Sequence, residues 1–211
     1  IYSFKGIIVH MPNNTFQKQL DIFKTHGGML RTAQALRLGI HQRDLHAMKT
    51  SGALEQLSRG LYRASSLKPL ANPDLITVAL RIPKGVICLI SALAFHEITT
   101  QIPHEVHVAL PFSAEKPRLE HPPTRYSWST EPAFSSGIET HKLDGVAVRI
   151  YSAEKTVADC FKARNKIGLD VAIEALKLCR QKKRSSPDLL MKYAKICRVE
   201  KIMKPYLEAI L

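Results

Sequence analysis

Residues 32–63, TAQALRLGIHQRDLHAMKTSGALEQLSRGLYR, decide the fold of the N-terminal part of the chain. A short helix fits residues 32–38, with Thr32 as its N-cap and with Ala33 and Leu36 facing inward. A glycine follows it and supplies a tight turn, because glycine adopts backbone conformations that other residues avoid. The pattern predicts the first half of a helix-turn-helix.

The second helix of this motif is predicted over residues 41–50, with Leu45 and Met48 on its inner face. Arginine donates two hydrogen bonds to guanine, glutamine pairs with adenine, and lysine reaches phosphates or guanine. The outer face therefore has the side chains of a recognition helix. Its residues are Gln42, Arg43, His46 and Lys49.

A β-hairpin wing follows the recognition helix. Two short strands are predicted at residues 54–57 and 61–63, around the turn Ser58-Arg59-Gly60. Before the motif, Asn14 or Thr15 caps a helix with apolar positions at Phe16, Leu20 and Phe23. These elements together predict a winged helix-turn-helix over residues 12–68.

We expect this module to bind double-stranded DNA through the recognition helix, its flanks and the wing. The expected contact residues are Arg31, Thr32, Gln34, His41, Gln42, Arg43, His46, Lys49, Arg59 and Arg63. An alternative interpretation is a hairpin that serves only packing or protein contacts, since fold does not dictate function.

The charge of the chain supports a polyanionic partner. The formal net charge is +13; residues 1–70 carry 10 Lys and Arg against 3 Asp and Glu, and residues 151–211 carry 14 against 7. Clustered cations gain free energy by releasing counterions from phosphates, which favours nucleic acid. The alternative is that surplus lysine merely keeps the protein soluble.

The chain shows no membrane span and no signal peptide by its pattern of apolar residues. Its four cysteines lie far apart, without a C-x-x-C pair, and are expected in the core of a cytoplasmic, nucleoid-associated protein. No cofactor and no metal site are predicted.

The C-terminal domain, residues 74–211, is predicted as α+β with a small mixed or antiparallel sheet and a helical C-terminus. One helix is expected over residues 74–81, and another is expected to begin after Ser91 as its N-cap and to end at Glu97. The predicted strands are residues 106–110, 126–129, 138–142 and 146–150. Further helices are predicted from Ser152, from Leu169, from the Ser186-Pro187-Asp188 start, and over residues 199–210.

No catalytic residues are predicted in this domain. Glu154, Lys155 and Asp159 are the nearest set to a nuclease site, but an acid in the first turn and an i, i+4 ion pair are ordinary helix chemistry. His104-x-x-His107 offers too few ligands for zinc. A nuclease or nucleotidyltransferase with a winged-helix substrate domain is the alternative function, and a protein-interaction adaptor is a third.

A basic tract is the remaining candidate site, either as a second phosphate-binding surface or as a solvated face. A surface of this kind could bend DNA, bind RNA or meet an acidic protein. Its residues are Lys162, Arg164, Lys166, Arg180, Lys182, Lys183 and Arg184.

The sequence resembles the AbiEi-type antitoxins. In the N-terminal part the resemblance rests on Thr32-Ala33-x-Ala35-x-x-x-Gly39-Ile40 and on the wing Arg59-Gly60-Leu61-Tyr62-Arg63. In the C-terminal part it rests on Ser91-Ala92-Leu93-x-x-His96, Ser152-x-Glu154-Lys155-Thr156-Val157-x-Asp159 and Gly168-x-Asp170-x-Ala172-x-Glu174. Similar residues extend from about 14 to 205.

The resemblance implies a transcriptional repressor that is also the antitoxin of a type IV toxin-antitoxin, phage-defence system. It further implies binding to inverted repeats in its own promoter and antagonism of a nucleotidyltransferase-like toxin without a stable complex. These are implications of the family and do not follow from composition or spacing.

Overall fold

The structure, a computed structural model, describes residues 16–182 and 185–210. The predicted cap residues Asn14 and Thr15 and the basic residues Lys183 and Arg184 lie outside these ranges. Contacts divide the chain into two units, with the boundary between Pro69 and Leu70. Each unit has its own core.

The N-terminal unit has three helices and a small antiparallel sheet within the described ranges. They are α1 (Gln17–Thr25), β1 (Met29–Arg31), α2 (Thr32–Arg37), α3 (Gln42–Thr50), β2 (Leu54–Ser58) and β3 (Leu61–Ala64). The strand order is β1-β3-β2. Helix α3, the predicted hairpin and α1 agree with the sequence prediction to within two residues.

Strand β1 was not predicted. The chain reverses after α1 because Gly27 and Gly28 both adopt a φ of +79°, where other residues are strained. The N–H of Gly28 donates to the carbonyl of Phe23, and the carbonyl of Gly28 accepts from Ala64. The reversal therefore delivers Met29–Arg31 to the open edge of β3.

The prediction of which side chains of α2 face inward is wrong. Ala33 is exposed and Leu36 is 45% exposed, whereas Ala35 and Ile40 are buried. The predicted cap is also displaced by one residue, since Arg31 is the N-cap of α2 and Thr32 is its first residue. A helix this short has less than two turns, so its apolar residues do not determine which face turns inward.

The C-terminal unit is a mixed sheet with helices, as the predicted α+β class requires. Its strands are β4 (Val86–Ile87), β5 (Val106–Pro111), β6 (Thr124–Ser129), β7 (Ile138–Leu143) and β8 (Val146–Tyr151). Their order is β6-β5-β4-β8-β7. The β4–β8 and β5–β6 pairs are parallel and the other two are antiparallel. Strand β4, which was not predicted, is central and buried.

The helices described in this unit are α4 (Pro73–Arg81), α5 (Leu89–Phe95), α6 (Ala153–Lys162), α7 (Arg164–Ile167), α8 (Leu169–Gln181), α9 (Pro187–Ile196) and α10 (Glu200–Glu208). Helix α4 packs against β8 and β5, and the other helices pack around α6. Val157, Cys160 and Phe161 of α6 are fully buried among α5, α8, α9 and α10. Helices α6 and α9 begin where predicted, and Ser152 and Ser186 are their N-caps. The two hydroxyls accept hydrogen bonds from the N–H groups of Lys155 at 3.3 Å and Leu189 at 3.1 Å.

Ser91 is not a helix cap, which corrects the prediction. It lies inside α5, whose N-cap is Cys88. Its buried hydroxyl donates to the carbonyl of Glu105 at 3.2 Å and accepts from the N–H of His107 at 2.9 Å. Ser91 thus joins α5 to the start of β5.

Candidate nucleic-acid interface

Helix α3 separates its apolar and polar side chains cleanly. Leu45 and Met48 are buried in the core of the N-terminal unit. Gln42, Arg43, His46 and Lys49 are all exposed on the opposite side. The side chain of Arg43 is 86% exposed, with the Asp44 carboxylate 3.6 Å from its Nε. Its terminal guanidinium nitrogens are therefore available to a ligand in solvent.

Lys49 is held by a residue that the sequence did not single out. Its Nζ donates to Oε1 of Gln56 at 2.6 Å, and Nε2 of Gln56 donates to the carbonyl of Ser58 at 3.2 Å. Gln56 thus links α3 to strand β2. The sequence carries no signal for this contact, because it depends on how α3 packs against β2.

The wing is joined to the beginning of α2. The N–H of Thr32 donates to the carbonyl of Gly60 at 2.9 Å, and Arg31 pairs with Leu61 in the sheet. Arg59, next to Gly60 in the turn, is exposed. The predicted residues at the start of α2 therefore lie beside the wing turn.

Two further predicted contacts on α2 have different exposure. Gln34 is exposed, and its Oε1 accepts from the N–H of Arg31 at 3.0 Å, so part of its amide is used within the protein. Arg31 and Thr32 are half-buried. His41 is exposed and is the N-cap residue of α3.

Arg63 is a structural residue, which corrects its place in the predicted interface. It is 5% exposed, and its Nη1 lies 2.6 Å from Oε1 of Glu55. Its Nη2 donates to the carbonyl of Lys68. Since its guanidinium is buried and paired inside the unit, Arg63 does not face a DNA backbone.

The basic tract of the C-terminal unit is divided by α8, which is about 18 Å long at a rise of about 1.5 Å per residue. Lys162, Arg164 and Lys166 precede α8, and Arg180 and Lys182 lie at its other end. Arg180 donates to the carbonyl of Ser185, and Lys182 pairs with Glu97 at 3.0 Å. The described residues of the tract therefore fall into two groups at opposite ends of α8.

The Lys155–Asp159 ion pair is present as predicted. Nζ of Lys155 lies 2.6 Å from Oδ2 of Asp159, and the lysine is 1% exposed. The other oxygen of Asp159 accepts from the thiol of Cys197 at 3.2 Å. One carboxylate oxygen thus pairs within α6, and the other joins α6 to Cys197 at the end of α9.

The cysteine and the two histidines considered as possible catalytic or metal-binding residues lie in different environments. Cys160 is buried as predicted, and burial raises the pKa of its thiol well above the ordinary value, so it is not a thiolate. His104 is exposed and His107 is buried. Within residues 16–182 and 185–210, no three His, Cys, Asp or Glu side chains come together as a potential metal site. No helix of these ranges is long and apolar enough to cross a membrane.

Comparison with solved structures gives the fold of nearly the whole chain. The crystal structure of the RV2827C protein from Mycobacterium tuberculosis matches with a TM-score of 0.61, over 92% of this chain and 80% of that one. The two sequences are 9% identical, so the match shows a similar fold alone. No curated protein sequence matches significantly.

The sequence profile of one protein family matches residues 17–65 and is described as "Transcriptional regulator, AbiEi antitoxin". The matched segment runs from the start of α1 to the residue after β3. It contains the helix-turn-helix and the wing. Residues 17–65 are therefore similar to the AbiEi antitoxin family of transcriptional regulators, and the resemblance predicted from the sequence is confirmed over this segment.

Proposed function

We propose that this chain represses its own operon by binding an inverted repeat in the promoter. The observation that carries this proposal is that α3 has a buried apolar face and an exposed polar face. Leu45 and Met48 are buried, and Arg43 is almost fully exposed. An α-helix of this kind fits the major groove of B-DNA, where arginine and glutamine discriminate bases.

Base recognition is assigned to the exposed residues of α3, chiefly Gln42, Arg43 and His46. Lys49 is assigned to a phosphate, because its bond to Gln56 holds its ammonium group toward β2. The wing residue Arg59 is assigned to the backbone or minor groove next to the site, where the phosphate field attracts cations. Backbone contacts fix position, whereas base contacts give sequence preference.

Residues at the start of α2 complete the proposed interface. The first helix of a helix-turn-helix crosses the DNA backbone. The exposed amide of Gln34 and the partly exposed Arg31 and Thr32 lie on this helix or directly before it, and we assign them to phosphates. His41, at the N-cap of α3, is assigned to the same backbone region.

We further propose that the chain is the antitoxin of a type IV, phage-defence toxin-antitoxin pair and acts in the cytoplasm at the nucleoid. The support is the description of the family that matches residues 17–65. The toxin expected from the family resemblance is nucleotidyltransferase-like and is countered without a stable complex. The C-terminal unit, which the family match does not reach, is the part to which we assign this second task.

A binding experiment and a growth experiment test the two parts separately. The full chain is titrated against the DNA upstream of its own gene and against scrambled DNA of equal length. Tight binding to the first and weak binding to the second supports the repressor, and equal affinity contradicts it. For the antitoxin, a nucleotidyltransferase-like gene beside it is expressed alone and together with this chain; growth arrest that this chain does not relieve contradicts the proposal.

A further inference from the structure

Strand β6 forms one edge of the sheet in the C-terminal unit and pairs with β5 alone among the described strands. The N–H of Val106 donates to the carbonyl of Pro123 at 2.8 Å. Since alternate residues of a strand turn their backbone groups to the same neighbour, Arg125 and Ser127 also bond to β5. The backbone groups that point away from the sheet have no hydrogen-bond partner within residues 16–182 and 185–210; they belong to Thr124, Tyr126 and Trp128.

The side chains of β6 do little to keep another chain away from this edge. Sheets commonly protect their edge strands with charged residues. The other edge strand, β7, carries Glu139 and Lys142. Strand β6 has one charged residue, Arg125, and its Nε lies 2.5 Å from Oε1 of Glu105. Its charge is therefore largely compensated within the chain.

The two faces of β6 differ in chemistry, because successive side chains of a strand point to opposite sides. The hydroxyl of Ser127 lies 3.7 Å from Sγ of Cys88, on the side of a cleft of about 220 Å³ between β6 and the end of α6. Tyr126 and Trp128 lie on the other face, with their ring centroids 6.3 Å apart. The open edge thus has a hydroxyl-bearing face and an aromatic face.

The cleft on the Ser127 face is positively charged. Lys162 and Lys166 line it, are exposed, and form no salt bridge with the parts of the chain that the structure describes. The acid among the lining residues, Asp159, is neutralised by Lys155 at 2.6 Å. Its charge therefore does not cancel those of the two lysines, and the cleft attracts anions.

The aromatic face also has room for side chains beside the edge. A recess of about 510 Å³ lies between Tyr126 and residues 116–120, where Lys116 and Arg118 outnumber the one acid. Trp128 is 40% exposed, and its indole N–H donates to a backbone carbonyl of the chain at 2.8 Å. With its polar atom used inside the protein, the exposed part of the ring is apolar.

We propose that the β6 edge binds an extended, acidic segment of a partner protein, which adds to the sheet as a further strand. Its main chain bonds to the outward groups of Thr124, Tyr126 and Trp128. Its side chains alternate, so that acidic ones reach Lys162 and Lys166 while apolar ones cover the aromatic face. The proposal concerns the C-terminal unit and does not depend on promoter recognition by α3.

Two other occupants fit this edge less well. Phosphate oxygens only accept hydrogen bonds, so a nucleic-acid backbone would leave the outward carbonyls of β6 without donors. A second copy of this chain, paired through β6 about a two-fold axis, would bring both sets of Lys162 and Lys166 together, and like charges across an interface are unfavourable. An acidic peptide strand matches the donors, the acceptors and the cations at once.

A labelled peptide of alternating residues, Glu-Val-Glu-Val-Glu-Val-Glu, is the probe and is titrated into the full chain. Anisotropy measures its affinity, and Trp128, the sole tryptophan of the sequence, reports on the edge. Saturable binding with a shift of the tryptophan emission to shorter wavelength is expected. A peptide with all its glutamates before its valines should bind about 10-fold more weakly, because it cannot keep the two residue types on opposite faces. Equal affinity of the two peptides, or no binding, overturns the proposal.

Methylated peptides test the main-chain hydrogen bonds without altering the protein. The N–H groups of alternate residues in the added strand face β6, and the others face solvent. One peptide is methylated at every valine N–H and another at every glutamate N–H. One of them should lose about 10-fold or more in affinity and the other should lose little. Equal affinity of the two methylated peptides overturns the proposal.

Reversal of charge tests the two lysines. Lys162→Glu with Lys166→Glu should weaken binding of the glutamate peptide by about 5-fold or more and should favour a peptide with lysine in place of glutamate. Lys177→Glu with Lys192→Glu makes the same change of charge at exposed positions on α8 and α9 and should retain the preference for glutamate. Equal changes in the two double variants overturn the proposal.

The two other occupants are outcomes of the same measurements. An oligothymidylate that displaces the glutamate peptide at equal or lower concentration would assign the edge to nucleic acid. A dimer of the chain that the peptide splits into monomers in sedimentation would assign it to a second copy. Either result contradicts the proposal.

Discussion

The N–H of Thr32 and the carbonyl of Gly60 form a hydrogen bond of 2.9 Å that joins the first residue of α2 to the turn of the wing. Gly60 adopts a φ of +73°, which lets the turn present its carbonyl there. Arg59 precedes it in the same turn. The position of the proposed backbone contact is therefore coupled to the helix-turn-helix.

Replacing Thr32 tests this coupling. Thr32→Pro removes the N–H but suits the first position of a helix, and Arg31 already has the extended conformation that precedes proline, with φ −76° and ψ 151°. Thr32→Ala keeps the N–H and removes only the hydroxyl and the γ-methyl group of the side chain, so it is the control. We expect the proline variant to be less stable than the alanine variant by about 1 kcal/mol in urea unfolding. Equal stability of the two would contradict the role of the bond.

Arg63 should matter for stability more than for recognition. Arg63→Ala removes a buried guanidinium with its packing and leaves Glu55 without its partner at 2.6 Å. We expect a loss of at least about 2 kcal/mol in the free energy of unfolding. Promoter preference, measured below the unfolding transition, should be retained. A stable variant with reduced DNA affinity would instead return Arg63 to the interface.

Helix α3 and the hairpin were predictable because their signals are local. In α3 the burial of Leu45 and Met48 follows from helical spacing, and the hairpin follows from its turn. The burial of Arg63 could also have been predicted from a local pattern. Side chains two apart in a strand share a face, so an apolar Leu61 on the buried face of the strand places Arg63 on that face too.

The short strands and the division of the basic tract could not be predicted. β1 and β4 have three and two residues, too few for alternation, and they are defined by pairing with distant strands. In the tract, Lys166 and Arg180 are near in sequence but belong to opposite ends of α8. Gln56 owes its role to tertiary packing against α3, for which a single sequence holds no pattern.

We expect the stability of the C-terminal unit to depend on pH because of His107. Burial lowers its pKa below 6.5; Glu105 opposes this, and Arg125 adds to the lowering. Its Nδ1 is buried without a hydrogen-bond partner in the described structure. The unfolded chain therefore binds a proton first as the pH falls below about 6.5, and stability decreases, by at most about 1.4 kcal/mol per pH unit for one group.

Unfolding by urea between pH 7.5 and pH 5 measures this effect. His107→Gln removes the titrating group and should flatten the dependence, even if the variant is less stable throughout. His104→Gln, at an exposed position, is the matched control and should keep the slope of the unsubstituted chain. If His107→Gln leaves the slope unchanged, groups other than His107 cause the pH dependence of stability.

The four cysteines should be unreactive in the folded chain. All are buried, and burial raises the pKa of Cys88 and Cys197 to about 12 and also raises the pKa of Cys160 and Cys179. Since the thiolate is the reactive form, a disulfide reagent at pH 8 should label none of them natively and all four after unfolding in guanidinium. Rapid labelling of any one in the native chain would contradict its burial.

The most direct test of the central claim compares Arg43→Ala with Arg59→Ala on the chain's own upstream DNA and on scrambled DNA, across a salt series. Arg43→Ala should reduce the preference for upstream DNA by about 1 to 3 kcal/mol, because it removes a base contact. Arg59→Ala should weaken binding to both DNAs alike and lower the salt slope by about 1. Lys24→Ala on α1, which packs against β1 and β3, is the charge-matched control and should change neither. Equal effects of Arg43→Ala on both DNAs would contradict base recognition by α3.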